Sequence, residues 1–435
     1  MEDSGPEPNT WGLSLSQRYL MLGLLTLVGT CGTIDRAIIA TVQEQIKHEF
    51  RLSDSQLGLI SGLAFALSHA VVAIPFGALA DRVNRKRLIA ACLAFWSAAT
   101  ALCGFTGSFL QLVLARMCVG AGEAGGQSAM ISTVSDLFPA RRRATAISIF
   151  YLSVPFGGMA AGAVAGSVAA HHGWRAALYV TAVPGFLLAV ILAVFGRIPA
   201  HQVAAAGRPS ARVASIPDVF RFLSRQRTLL HLIAGIALIT LTIVGQSAFS
   251  YSFFIRYHNM RLNELGPLLG VSSGVIGIFS MLGAGAVADR IGRNDPRRRL
   301  WVIIATIVAI TPIVLASYVV APRAVALPLF MAQALIVNVY LGPGIATIQN
   351  LTPPGMRSTI AAIMYVANGL VGFGLGPMVV GVLSDVLAKS FGAQSLRIAL
   401  MATAALGLWA AVHFYLATRT LLQDLERVGH DPGGL

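Results

Sequence analysis

The sequence predicts an all-α membrane protein: twelve transmembrane helices in two pseudo-symmetric six-helix bundles. Three observations carry this reading: the composition, a series of bilayer-length apolar runs, and a loop that occurs twice. Of 435 residues, 56% are hydrophobic and 11% charged, whereas a soluble domain carries roughly 25% charged residues. A soluble core cannot hide that much apolar surface, but a bilayer accepts it as solvent.

Twelve runs approach the ~20 residues that a helical span requires, near 18–42, 56–80, 88–107, 110–135, 144–169, 174–196, 229–255, 265–288, 300–320, 325–349, 358–386 and 395–418. The longest interruption lies between the sixth and seventh. This divides the chain into an N-terminal tail (1–17), a first bundle (18–197), a linker (198–228), a second bundle (229–420) and a C-terminal tail (421–435). No cleavable signal is expected, because the first apolar run passes through Asp35 and Arg36 into more apolar sequence.

The net charge of +14 sits in short clusters between apolar runs, a pattern of membrane loops and not of a nucleic-acid-binding stripe. Arg82, Arg85, Lys86 and Arg87, then Arg141 to Arg143, the linker arginines, and Arg297 to Arg299 all fall on one side if both termini are cytoplasmic. The positive-inside rule favours that topology. Lysine occurs only at Lys47, Lys86 and Lys389 while arginine, alanine and glycine abound. That bias suggests a bacterial genome and hence the cytoplasmic (inner) membrane. Cys31, Cys92, Cys103 and Cys118 form no CxxC pair and read as small packing residues. No metal-ligand spacing, nucleophile–base set or P-loop is visible, so neither an enzyme nor a cofactor or metal is expected.

The loop repeat is Gly77-Ala-Leu-Ala-Asp81-Arg82-Val-Asn-Arg85, which returns as Gly285-Ala-Val-Ala-Asp289-Arg290-Ile-Gly-Arg293. A weaker echo links Asp136-Leu-Phe-Pro139 to Asn350-Leu-Thr-Pro353. Equivalent loops in two halves indicate a duplicated six-helix unit. The pattern Gly77-x-x-x-Asp81-Arg82-x-x-Arg85-Lys86-Arg87 resembles the loop signature of the major facilitator superfamily, and Arg116-x-x-x-Gly120-x-Gly122 resembles its fourth-helix motif. The run from Gly369 to Gly381, with Gly376-Pro377, is similar to that superfamily's packing motifs. A narrower resemblance is to the Spinster family. It rests on Asp35-Arg36, on Phe50-x-Leu-Ser53-Asp54-x-Gln56-x-Gly58-Leu59, and on Arg116-x-x-x-Gly-x-Gly-Glu123-Ala124. The resemblance implies the major facilitator fold and alternating access. It also implies, as an expectation, a lysophospholipid-like or sphingoid-phosphate-like substrate.

The first bundle places four charges deep in its spans: Asp35, Arg36, Arg116 and Glu123. A mid-membrane charge costs about 2.5–3.5 kcal/mol on insertion scales, so it faces a partner or a wet cavity. Arg116 and Glu123 are two turns apart on one helix face. Asp35 and Glu123 are the expected proton carriers, and Arg36 and Arg116 the expected anion-holding groups. The bland alternative is a pair of permanent salt bridges that fix helix packing. Gly77, Asp81, Arg82, Arg85, Asp289 and Arg290 are the expected gating residues, with Asp81 and Asp289 latching the cytoplasmic side.

The second bundle has no equivalent acid–base cluster. Its candidate cavity residues are Gln246, Phe249, Tyr251, Tyr340, Tyr365 and Asn368, aromatics and amides suited to an amphipathic ligand. Gly120-x-Gly122-x-x-Gly125 matches a dinucleotide fingerprint formally but lies in an apolar helix, where close packing is the expected use. His69 is expected to be a packed histidine. The expected partners are an amphipathic or anionic small molecule, protons and membrane lipid, with the chain a monomer. A transporter of small organic anions or drugs is the competing expectation.

Overall fold

A computed structural model describes residues 13–80, 83–197, 216–292, 295–353 and 356–430. No strand occurs among the described residues. Helix α1 is Leu15–Phe50. Helix α2 starts at Asp54–Gly58, passes through a π turn at Leu59–Leu63 and continues over Ala64–Ala80. Helices α3 and α4 are Arg85–Phe105 and Phe109–Leu137. The next run comprises Ala140–Tyr151, Ser153–Ala160, a π turn at Ala161–Ala165, and Gly166–Phe195. Gly173, at φ 82°, breaks that run into α5 (140–172) and α6 (174–195).

A short helix, α7 (Ile216–Arg225), lies in the linker. The second bundle holds α8 (Arg227–His258), α9 (Leu262–Ile291) and α10 (Arg297–Val319). Helix α11 is segmented as Arg323–Met331, Ala334–Val339 and Leu341–Asn350. Helix α12 is Arg357–Ala367, a π turn at Asn368–Leu375, and Gly376–Phe391; α13 is Ser395–His430.

Nine helical runs among the described residues are long and apolar enough to cross a membrane. Two of them, of 51 and 69 residues, far exceed one bilayer at ~1.5 Å per residue, and they turn at Gly173 and at Gly392–Gln394. Helix α4 adds a further 29-residue run that Arg116 and Glu123 make less apolar. The architecture accords with twelve crossings. Large apolar side chains face outward on these helices, among them Phe105 (74% exposed) and Phe279 (71%), as lipid solvation permits and water does not.

The duplication is visible in the backbone. Among the described residues, the non-glycine positions with positive φ are Arg51 and Asn259, each the left-handed C-cap of its bundle's first helix. They are separated by the same spacing as Gly77 and Gly285. The positive-φ glycines, Gly173 and Gly392, turn the chain from α5 to α6 and from α12 to α13. Equivalent turns thus use positive φ in both halves, and the two helix caps share one left-handed conformation.

The bundles meet most extensively along two seams, α2 with α12 and α5 with α9, and α1 also packs on α8. Both seams are built on glycine, because backbones must approach closely there. A Cβ on Gly62 would sit 2.6 Å from the Gly374 carbonyl oxygen, and one on Gly381 would sit 2.2 Å from that of Asp54. Across the other seam, Gly162 and Gly266 each approach the other's carbonyl at 2.6 and 2.5 Å from such a Cβ. The three π turns all lie on these seams, where a widened helix turn re-aims the backbone. Contacts between bundles concentrate toward the end that carries Arg51, Gly173, Asn259 and Gly392, which is the closed end of the molecule.

Candidate functional site

Asp35 and Arg36 lie 15 and 14 residues before the closed end of α1, and Glu123 lies 14 residues into α4. At ~1.5 Å per residue all three are about 21–22 Å deep, near the middle of their helices. Arg36 Nη1 pairs with Glu123 Oε2 at 3.0 Å. The Arg36 side chain is 30% exposed and that of Glu123 only 5%, so the pair has one wet partner and one dry one. Gly32, one turn before Arg36 on α1, faces the Glu123 carboxyl: a Cβ there would lie in ordinary contact with it at 3.5 Å.

Arg116 does not pair with a carboxylate. Its Nη1 donates to the Asp35 backbone carbonyl at 3.0 Å, and its guanidinium lies 5.4 Å from the Phe65 ring centroid. It is buried, yet Nε and Nη2 have no hydrogen-bond partner. Asp35 is also buried, and its Oδ1 accepts no hydrogen bond; Glu123 Oε1 and His69 Nε2 are likewise bare. His69 stacks on Phe65 at 5.7 Å. Buried polar atoms without protein partners are rare, and each calls for a physical reason. Here five gather around one layer of α1, α2 and α4. The arrangement holds one formed ion pair beside a second acid and base that are each incompletely satisfied.

The second-bundle candidates separate into two groups. The Tyr318 hydroxyl donates to Gln246 Oε1 at 2.9 Å, and Gln246 Nε2 donates to the Thr242 carbonyl. Tyr340 shares a hydroxyl bond with Thr240 at 2.9 Å, and Phe249 and Tyr251 are packed in the main core. These four are internal here. Tyr365 is 54% exposed and its hydroxyl reaches that of Tyr151 on α5. Asn368 opens the π turn of α12, and its Oδ1 is buried and unpartnered.

At the closed end an ion-pair network bridges the bundles. Arg256, near the end of α8, donates through Nε and Nη2 to Glu44 of α1, the shortest contact being 2.6 Å. It also donates through Nη1 and Nη2 to Asp54 at 2.9 Å each. Lys47 pairs with Asp54, and Ser384 of α12 donates to Asp54 Oδ2 at 2.6 Å. Asp385 accepts the backbone N–H groups of Asp54 and Ser55 at 3.0 and 2.8 Å. An acid from one bundle thereby caps a helix N-terminus of the other, where it meets the positive end of the helix dipole. Deeper, Gln43 Nε2 donates to the Ala248 carbonyl and to Ser252 Oγ, both at 2.7 Å. The model of the Major Facilitator Superfamily matches residues 25–374.

The chain belongs to the Major Facilitator Superfamily. It is similar, at 33% identity over 94% of both chains, to an MFS-type efflux pump of Mycolicibacterium smegmatis. It is 27% identical to human protein spinster homolog 1, covering 87% of this chain and 75% of that one. It is 26% identical to a sphingosine-1-phosphate transporter of Danio rerio, covering 86% and 77%. Among solved structures, a bacterial homolog of the human lysosomal transporter Spinster, inward-facing and occupied, superposes with a TM-score of 0.82 at 26% identity, covering 95% and 99%. This chain is therefore a Spinster-like transporter of the superfamily and an integral membrane protein.

For this superfamily member, the loop signature is partly placed. Arg85 Nη1 pairs with Asp136 Oδ2 at 2.7 Å, which ties the start of α3 to the end of α4 within one bundle. Gly77 lies in the last turn of α2, and Arg290 is exposed in the last turn of α9. Asp81 and Arg82 fall outside the described residues, as does the side chain of Asp289. The glycines of the fourth-helix motif serve packing: a Cβ on Gly120 would lie 2.4 Å from the Phe65 carbonyl oxygen, and one on Gly122 would lie 2.8 Å from both Phe95 and Trp96. Sequence reasoning missed the closed-end network. Arg256 belongs to no motif in the sequence, and Asp385 lies in an apolar run. The available signal was Asp54, which sits in the Spinster-like segment and needs a cation.

Proposed function

We propose that this protein is a proton-coupled secondary transporter, and not an enzyme, that works by alternating access and carries an amphipathic, anionic, lipid-like solute. The observation that carries the reading is the mid-helix set of Asp35, Arg36, Arg116 and Glu123, with one ion pair formed and the other groups partly unsatisfied. Protonation of Glu123 weakens its hold on Arg36, whose half-wet guanidinium is then free to bind an anionic headgroup. Loss of the proton restores the pair and expels the anion. Asp35 exchanges its proton beside Arg116 in the same layer. The exposed Tyr365 and the unpartnered Asn368 supply the second bundle's contribution to the ligand.

With both termini in the bacterial cytoplasm, the closed end is the outer one and the present conformation is inward-facing. The similarity to an inward-facing Spinster homolog supports this. Asp81 and Asp289 then act on the inner side, as latches formed when the protein faces outward. A second reading, export of small organic anions or drugs, draws on the mycobacterial relative named as an efflux pump.

The test is purified protein in liposomes under an imposed pH gradient, offered lysophospholipids and, separately, small organic anions. Gradient-dependent movement of the lysolipid supports the proposal. Movement of the small anions alone selects the second reading, and transport indifferent to the gradient overturns proton coupling.

A further inference from the structure

Among the described residues outside the crossings, the linker helix α7 is a strongly amphipathic short helix. Its sequence, Ile-Pro-Asp-Val-Phe-Arg-Phe-Leu-Ser-Arg, alternates apolar and basic positions with a helical period. Val219 and Leu223 are buried and pack in the same core cluster as Leu229 of α8 and Met356 and Ile360 of α12. That face is therefore satisfied by protein. The opposite side is different. Phe220 is 56% exposed, and Arg221, Arg225 and Arg227 are exposed around it.

Its position restricts what can cover this side. The backbone turns at Gln226 (φ −99°, ψ 87°) straight into α8, a membrane-crossing helix. One turn into α8, Leu230 is 43% exposed, as a lipid-facing side chain is. At the same end of the second bundle, Trp301 of α10 packs edge-on against Tyr415 of α13 at 5.9 Å, and Arg419 donates to the Tyr415 hydroxyl at 2.9 Å. Tryptophan, tyrosine and arginine together mark the membrane–water boundary. Helix α7 thus runs where acyl chains give way to headgroups. Arg221 has a local partner in Asp218 at 3.2 Å, which leaves Arg225 at the end of α7 and Arg227 at the start of α8 as the stronger surplus positive charge.

We propose that α7 is an anionic-lipid-binding element: Phe220 inserts among acyl chains while Arg221, Arg225 and Arg227 hold acidic lipid headgroups. This inference does not depend on the transported substrate. It bears on the proposed ligand side of the second bundle, because α7 packs on the Arg357–Ala367 segment of α12, which carries Tyr365. A lipid that holds α7 in place also braces that segment.

The experiment is amide hydrogen exchange across 216–226 on the full-length protein in nanodiscs of phosphatidylcholine alone or enriched in phosphatidylglycerol. The expected result is slower exchange in the phosphatidylglycerol discs. Arg225→Gln and Arg227→Gln should each reduce that protection about fivefold, the effect of one basic residue near an acidic surface. Phe220→Ser should reduce protection in both lipids, which distinguishes insertion from charge. Folding is verified by unchanged exchange in α8 and α13. Equal exchange in the two lipids overturns the proposal. Equal protection by free glycerol phosphate in phosphatidylcholine discs also overturns it, since the site then reads a soluble anion and not a membrane surface.

Discussion

At the scale of single residues, the closed-end network is the most exposed to test. Asp54 accepts from Arg256 and Ser384 of the opposite bundle and from Lys47 of its own. Removing one partner of a buried ion pair costs about 3–5 kcal/mol, mostly because the other charge is left alone. Here Arg256 keeps 23% exposure and a second partner in Glu44, so roughly 2 kcal/mol is a fairer figure. That is about a thirtyfold shift in an equilibrium. Asp54→Asn should therefore move the protein toward the state open at this end. The measurement is labelling of Ser252→Cys, whose parent residue is fully buried, by a membrane-impermeant maleimide: faster labelling is expected, and an unchanged rate sinks the latch. The deep charges of the first bundle were legible in the sequence, since four ionisable residues in apolar runs demand an explanation. Which of them pair was not. Arg116 and Asp35 look like partners by type, but Arg116 meets the Asp35 carbonyl and leaves the carboxylate aside, a detail of side-chain reach that spacing cannot supply.

At the scale of helices, the seams rest on contacts that tolerate no side chain. Gly266→Val places atoms where the Gly162 carbonyl now sits 2.5 Å from an ideal Cβ, and backbone cannot rotate away as a side chain can. Overpacking of this kind costs about 1–3 kcal/mol. Because the contact belongs to the closed arrangement, the substitution should favour opening by roughly five- to a hundredfold and leave the melting temperature nearly unchanged. A large fall in melting temperature without a change in labelling would mean that the seam is structural glue. Gly158 faces open space instead, so Gly158→Ala is the matched control and should be silent. That the chain is a series of membrane-length helices could be read from hydropathy, because a bilayer imposes its thickness on every helix. The π turns could not be read, since a residue inserted into a helix leaves no mark in composition. Glycines lie in or beside all three, at Gly58 and Gly62, at Gly162 and Gly166, and in the run from Gly369 to Gly381, but glycine also occurs in helices that have no such turn.

At the scale of the whole molecule, the two halves repeat their turns and loops but not their buried charges. Arg51 and Asn259 cap equivalent helices, and Gly173 and Gly392 turn equivalent corners, the symmetry that the proposed rocking of the two halves calls for. The acid–base layer lies in the first half alone among the described residues, with Glu123 as its dry carboxylate. This division makes coupling separable from rocking. In Glu123→Gln the carboxylate is replaced by a neutral group of the same shape, comparable to a permanently protonated Glu123. Arg36 then stays available to the substrate, and the loaded protein still exchanges between its two faces. Exchange of internal for external substrate should continue at near the parental rate, while net accumulation driven by a pH gradient should disappear. Asp35→Asn provides the companion measurement: if both acids serve coupling, each variant loses accumulation and each retains exchange. Loss of exchange together with accumulation would place Glu123 in the moving or binding machinery instead. Retention of both would assign the Arg36–Glu123 pair to helix packing, because a fixed salt bridge replaced by a hydrogen-bonding amide alters stability without altering which gradient drives transport.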